Sequence, residues 1–261
     1  MTSEAPAVRV FANPMSLARA AAEEFERRVH RRLAGTGRFS AALAGGSTPR
    51  ALYETLAGEP HRSRIPWVRV HLFWSDERPV PPNHEESNFR MAWETMISKL
   101  AIPPGNVHRI RGEIDPEDAA REYERELRGF FDLESDSELA RFDLVLLGMG
   151  EDGHTASLFP DSPALEERDR WVAVPRVETL GGSRITLTCP ILENAACILF
   201  LVTGENKAEM LREVVEVRER SARRPAGLIR PRHGELFWYV DRAAARDLSD
   251  GTFEEISGRE L

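Results

Sequence analysis

Cysteine is scarce in this chain: Cys189 and Cys197 are the only two in 261 residues. That excludes a disulfide-framed module and a zinc module built on cysteine ligands, and it favours a reducing compartment. Lysine is equally rare, with only Lys99 and Lys207 among 35 basic residues, so each lysine stands out against an arginine background. No apolar run approaches the ~20 residues of a membrane helix; the longest strongly apolar stretch is Ala195 to Val202. Met1 to Val8 lacks the basic patch and apolar core of a secretory signal. A cytoplasmic protein without a membrane partner is expected. A surplus of positive charge is missing too: 43 acidic residues against 35 basic ones give a net charge of −8. This argues against a nucleic-acid partner, which needs a net basic face.

What is present reads as an α/β chain. Apolar residues make up 41% of the sequence, enough for a sizeable core, and at this length one large domain over residues 1–261 is expected. Strand-like runs at Val8 to Phe11, Phe39 to Leu43, Val70 to Trp74, Val107 to Ile110 and Phe142 to Leu147 alternate with helical patterns at Met15 to Leu33, Asn88 to Leu100 and Pro116 to Phe131. Further strands are predicted at Trp171 to Val174, Ile185 to Thr188, Cys197 to Val202 and Leu236 to Val240, with a helix from Glu205 to Val217. The alternation is that of βαβ units. Uninterrupted runs such as Leu144 to Leu147 suit central parallel strands covered on both faces. The predicted fold is a three-layer, mostly parallel Rossmann-like sheet with helices on both faces. The loop-length stretches Pro79 to Pro82, Pro103 to Gly105 and Leu180 to Ser183 do not read as domain linkers, and Asp250 to Leu261 reads as a peripheral tail.

In such sheets ligands bind outside the carboxyl ends of the strands, and three strand ends here carry unusual residues. The first is Gly45-Gly46-Ser47-Thr48-Pro49, leading into a helix from Arg50. Paired glycines permit close backbone approach, Ser47 or Thr48 can cap, and N–H groups at a helix start attract phosphate; an ordinary capped turn reads the same way. The second is Ser75-Asp76-Glu77-Arg78, either a solvated charge cluster or a ligand-facing strand end. The third, Gly148-Met149-Gly150-Glu151-Asp152-Gly153-His154, places a carboxylate two residues before a histidine in a glycine-spaced loop, the composition of a base with its orienter. His30, His61 and His84 lie in charged or loop surroundings and read as solvated, and the five tryptophans, Trp93 among them, read as core or pocket wall. No two histidines have ligand spacing, so no metal is expected.

These blocks, extended through Thr155-Ala156-Ser157-Leu158-Phe159-Pro160, and joined by Arg184-Ile185-Thr186-Leu187-Thr188, Thr203-Gly204-Glu205-Asn206-Lys207 and Pro225-Ala226-Gly227-Leu228, resemble the 6-phosphogluconolactonase family in order across nearly the whole chain. The related glucosamine-6-phosphate deaminases share the glycine loop and the Asp-Gly-His triplet but place a glutamate where Phe159 stands, and an aromatic where Arg78 stands.

The resemblance implies hydrolysis of 6-phospho-D-glucono-1,5-lactone without metal or organic cofactor. It implies His154 as general base, Asp152 as its orienter, and Arg78 near the lactone or its oxyanion. Gly45, Gly46, Ser47 and Thr48, with Arg184 and Lys207, would hold the phosphate. Asp76 is left between a structural acceptor and a ligand for a substrate hydroxyl, and Lys207 between a phosphate ligand and an exposed helix-start cation. The only partner expected is the small phosphosugar lactone, with the chain a monomer or small homo-oligomer. A deaminase-like isomerase and a non-catalytic sugar-phosphate sensor are the competing readings.

Overall fold

The computed structural model describes residues 7–35, 37–133, 135, 138–177, 182–217, 221 and 223–256. Seven strands form one sheet: β1 (Ala7–Phe11), β2 (Phe39–Leu43), β3 (Val70–Trp74), β5 (Leu144–Leu147), β10 (Cys197–Val202), β11 (Glu235–Asp241) and β12 (Glu254–Glu255). Their order is β12-β1-β11-β10-β5-β2-β3, and every pairing is parallel. Helices flank this sheet in a three-layer, Rossmann-like α/β arrangement. The central strands are apolar and sealed: every residue of β5, β10 and β2 is buried, as expected when both faces of a parallel sheet are covered.

The chain reverses its direction of travel across the sheet between β2 and β5. From β2 it steps outward to β3, then returns to place β5 on the other side of β2 and continues through β10 to β11. The loops that leave β2 and β5 therefore diverge, opening a crevice at their carboxyl ends.

Local signals account for the helices. Helix α1 (Pro14–Leu33) starts at a capping box between Asn13 and Ser16, and α5 (Pro116–Phe131) at Asp115, whose carboxylate accepts from Glu117 and Asp118 N–H. Helix α4 (Asn88–Thr95) is shorter than its pattern, because the chain tightens at Met96 into a 3₁₀ turn at Ile97–Lys99. The helix predicted from Glu205 likewise begins as a 3₁₀ turn, Glu205–Lys207, before α7 (Ala208–Glu216).

Other departures have physical reasons. Val107 to Ile110 is not a strand: beyond one bridge between Val107 and Leu72, His108 turns inward and stacks on Phe73 with ring centroids 4.2 Å apart. The runs at Trp171 and Ile185 stay out of the main sheet. They form β6 (Val172–Ala173) and β9 (Ile185–Leu187), which pair antiparallel in a small sheet completed by β4 (Asp76–Glu77). Within the stretch Leu180 to Ser183, residues 180 and 181 lie outside the described residues, while β8 (Gly182–Ser183) pairs antiparallel with β7 (Arg176–Val177). The expected tail contributes β12 to the sheet edge; its residues 257–261 lie outside the described residues. His61 is buried rather than solvated, with Nδ1 2.6 Å from Glu26 Oε2, and Trp93 is 47% exposed rather than core.

At the β3 edge, His71 Nδ1 lies 3.1 Å from His108 Nε2. Burial, reinforced by His108 and Arg38, pushes the His71 imidazole down to about 4. An unfolded chain takes up this proton near pH 6.5, whereas the native state refuses it until about 4. Stability is therefore lost as pH falls through that window and is fully present above it. Unfolding free energies from urea titrations at pH 7 and pH 4.5 should differ by on the order of 1–2 kcal/mol from this residue, and His71→Leu should remove that part of the difference.

Candidate active site

The crevice holds a cleft of about 250 Å³ lined from four strand ends. Residues 44–49 follow β2; Asp76, Arg78 and Asn88 follow β3; Gly148 to Gly150, His154 and Ala156 follow β5; and Leu201 to Thr203 with Lys207 end β10.

Helix α2 (Ser47–Leu56) starts in an unusual way. Neither Ser47 nor Thr48 caps it: they are its first two residues, the cap is Gly46, and no side chain bonds to the free N–H groups. Gly46 has φ 103°, a left-handed conformation that costs little without a Cβ. The orphan N–H groups of the first turn are left for a ligand, as at anion-binding helix starts. Thr48 is braced by Thr203, whose hydroxyl lies 2.7 Å from its own.

The second strand end separates two carboxylates by role. Glu77 is 2% exposed and accepts from the N–H groups of Arg78, Asn88 and Phe89 and from the Ser87 hydroxyl. Burial pushes its carboxyl above the ordinary range although those N–H groups pull it down. Its job is to clasp the Arg78 to Ser87 loop against the start of α4. Asp76 lines the cleft, and its Oδ2 accepts from Ser157 Oγ at 2.7 Å. Arg78 also lines the cleft, with Nη1 donating to Glu86 O. Arg184 does not line the cleft. It donates to Ser183 O, and burial together with the Arg78 guanidinium holds it below the ordinary arginine value.

At the third strand end, His154 Nδ1 lies 2.6 Å from Asp152 Oδ1, which also accepts from His154 N–H at 3.1 Å. Burial raises the Asp152 carboxyl, but the hydrogen bonds from His154 outweigh it and bring the group to about 2. Asp152 is thus ionised at neutral pH, so the Nδ1 atom carries the proton and donates, leaving Nε2 as the acceptor. The imidazole side chain is one-third exposed and therefore reachable by water. Phe159 packs against its ring, centroids 4.5 Å apart. Gly150 makes the pair possible: a Cβ there would lie 2.1 Å from His154 Nδ1 and 2.5 Å from Asp152 Oδ1.

Lys207 also lines the cleft, its Nζ 3.9 Å from Glu151 Oε1, which also accepts from Asn206 Nδ2 at 2.6 Å. Among the described residues no cluster of three or more His, Cys, Asp or Glu side chains is placed to hold a metal ion, and no helix is long and apolar enough to cross a membrane.

The structure thus brings together Gly45, Gly46, Ser47, Thr48, Asp76, Arg78, Asp152, His154 and Lys207, and leaves Arg184 outside the lining. Sequence reasoning passed over Thr203, Asn88 and Ser157. Thr203 and Ser157 lie within the family-like blocks and Asn88 opens a predicted helix, yet hydroxyls and amides carry no compositional signal.

An uncapped helix start facing a histidine–carboxylate pair across a switch-point crevice defines an α/β enzyme site for small anionic ligands. A family described as glucosamine-6-phosphate isomerases/6-phosphogluconolactonase matches residues 12–238. A 6-phosphogluconolactonase of Synechocystis sp. is 40% identical over 245 residues, covering 94% of this chain and 99% of the relative. The 6-phosphogluconolactonase structure from Thermotoga maritima superposes with a TM-score of 0.76 at 33% identity, over 90% of this chain and 99% of that one. That from Trypanosoma brucei gives 0.83 at 29% identity, over 94% and 99%. The chain belongs to the 6-phosphogluconolactonase family.

Proposed function

We propose that the chain hydrolyses 6-phospho-D-glucono-1,5-lactone to 6-phospho-D-gluconate, the lactonase step of the oxidative pentose phosphate pathway. The observation that carries this reading is the His154–Asp152 pair in one cleft with the open N-terminus of α2 and Lys207. Base and phosphate anchor come from different strand ends, His154 after β5, the α2 start after β2 and Lys207 after β10.

His154 Nε2 takes a proton from water while Asp152 holds Nδ1–H and stabilises the imidazolium. The water oxygen bonds to the lactone carbonyl carbon, and the resulting oxyanion faces the Arg78 guanidinium. Collapse breaks the ring C–O bond, and His154 returns its proton to the departing ring oxygen. The product carboxylic acid then releases one proton to solvent. Gly45, Gly46, Ser47 and Thr48 hold the phosphate with Lys207, a compact point charge. Arg184, expected from the sequence as a further phosphate ligand, stands outside the lining and is given no contact to the phosphate, and Asp76 accepts from a substrate hydroxyl. Phe159 supplies an apolar wall where a ring-opening deaminase uses a carboxylate.

Proton release on adding freshly made lactone, measured against a no-enzyme blank, tests the reading. Release no faster than the blank would overturn it, and ammonia formed from glucosamine 6-phosphate would replace it with the deaminase reaction. Lys207→Ala should raise KM for the lactone by roughly 10-fold, the worth of one charge-assisted phosphate contact, while kcat changes little. An unchanged KM would remove Lys207 from the phosphate site.

A further inference from the structure

Around Asp76 on the cleft lining stands a polar cluster whose other members the hydrolysis scheme does not use. The turn after His154 runs Thr155 to Leu158 and closes on itself, Leu158 N–H donating to Thr155 O at 2.9 Å. Ala156 at its tip lines the cleft with φ 47°, a left-handed conformation that costs a residue with a Cβ roughly 1 kcal/mol. Such a turn persists only where its surroundings hold it. Two hydroxyls do so: Thr155 Oγ1 donates to Gly148 O at 2.8 Å, and Ser157 Oγ donates to Asp76 Oδ2 at 2.7 Å.

The second of these bonds does more than close a turn. Ser157 is 2% exposed and Asp76 6%, so both groups are largely withdrawn from bulk water. Around the Asp76 carboxylate the Ser75 hydroxyl and the Asn88 amide stand at 3.4 Å, long for hydrogen bonds, and Ser157 supplies the one short contact among the described residues. The Ser157 N–H in turn donates to Thr186 Oγ1 at 3.2 Å, and that hydroxyl donates to Leu187 O at 3.1 Å. Ser75 Oγ bonds back to Leu43 O at the end of β2. One buried network therefore joins the ends of β2 and β3, the strands β4 and β9, and the loop that carries His154.

We propose that Ser157 is a positioning residue for the reaction: its bond to Asp76 fixes the His154 loop and the Asp76 carboxylate relative to each other across the cleft floor. This rests on the lactonase reading above. Without the hydroxyl, Asp76 keeps only long contacts and the strained turn loses its tie to β4. The imidazole then samples positions from which water is poorly aimed. Misplacement of a catalytic group by about 1 Å costs up to ~10²-fold, and a loosened rather than displaced loop should cost on the order of 10-fold.

The test compares Ser157→Ala, Ser157→Cys and Ser157→Thr with the wild type by lactone-dependent proton release, alongside thermal melts. Expected is a kcat lower by roughly 10-fold in the alanine and cysteine variants, with KM within about twofold of wild type, and recovery of most of kcat in the threonine variant, which keeps the hydroxyl. Cysteine preserves volume with a weak donor, so it gives the answer if alanine fails to fold. An unchanged kcat in either variant overturns the proposal, and so does an equal loss in the threonine variant. Loss of the folded state in both alanine and cysteine variants overturns it too, since the hydroxyl would then serve the fold and not the reaction. A wild type no faster than the blank would sink the lactonase reading itself. An active wild type with unaffected Ser157 variants would sink only this inference.

Discussion

Replacing His154 with alanine should lower kcat by about 10²–10⁴-fold, the usual share of a general base, and leave KM nearly unchanged. The reason lies in the division of the cleft. On the proposed mechanism His154 meets the reacting carbon while the start of α2 and Lys207, which line the same cleft, hold the phosphate, so ground-state binding should survive the loss. Because Asp152 works through the imidazole it holds at 2.6 Å, Asp152→Asn with His154→Ala should be no slower than His154→Ala alone. Steady-state proton release with a thermal melt of each variant decides the matter. Wild-type turnover in a folded His154→Ala enzyme would remove the residue from the mechanism. Asp152 stays ionised down to about 2, so a loss of activity between pH 7 and pH 4 does not come from protonating it.

Gly150→Ala should be nearly as damaging while leaving the protein folded. The added methyl would lie 2.1 Å from His154 Nδ1, 2.3 Å from its Cε1 and 2.5 Å from Asp152 Oδ1, and no pair of atoms tolerates such approach. The atoms in its way are the ends of two rotatable side chains, not backbone, so both can swing aside and the stability cost should stay near 1 kcal/mol. Swinging aside separates them. The Nδ1–H to carboxylate bond breaks, the imidazole loses its fixed tautomer, and kcat should fall about 10²-fold or more. A melting temperature within a few degrees of wild type with that loss is the expected pair of results. Full activity would mean that the close pairing of Asp152 with His154 is not needed for turnover.

Much of this was legible in the residues, for identifiable reasons. Parallel central strands announce themselves as unbroken apolar runs, and Leu144 to Leu147 and Cys197 to Val202 fall where their patterns put them. Asp115 before Pro116 marks the start of α5 because cap chemistry is local. Glycine spacing marked the loop with Asp152 and His154, since backbone freedom and a short side-chain reach are both written in sequence order. What escaped depends on partners far along the chain. Val107 lacks a ladder because His108 prefers the face of Phe73, and His61 is buried because Glu26 on α1 lies opposite it. Helix α2 has no side-chain cap although Ser47 and Thr48 stand at its start, and Thr48 turns instead to Thr203. Arg184 carries the family pattern, yet it does not line the cleft and donates to Ser183 O.

The cleft is assembled from the ends of β2, β3, β5 and β10, so its parts come from residues 44 through 207 and meet only when four neighbouring strands of the sheet are aligned. No contiguous fragment shorter than residues 44–207 holds all of these parts. Partial openings confined to the sheet edge at β12 and β1 leave the central strands in place and can be silent in activity. Any opening that parts β2 from β5 divides the site in two. Catalysis in this molecule is therefore a report on the cohesion of the sheet from β10 to β3, insensitive to fraying at the β12–β1 rim and abolished by a break between β2 and β5.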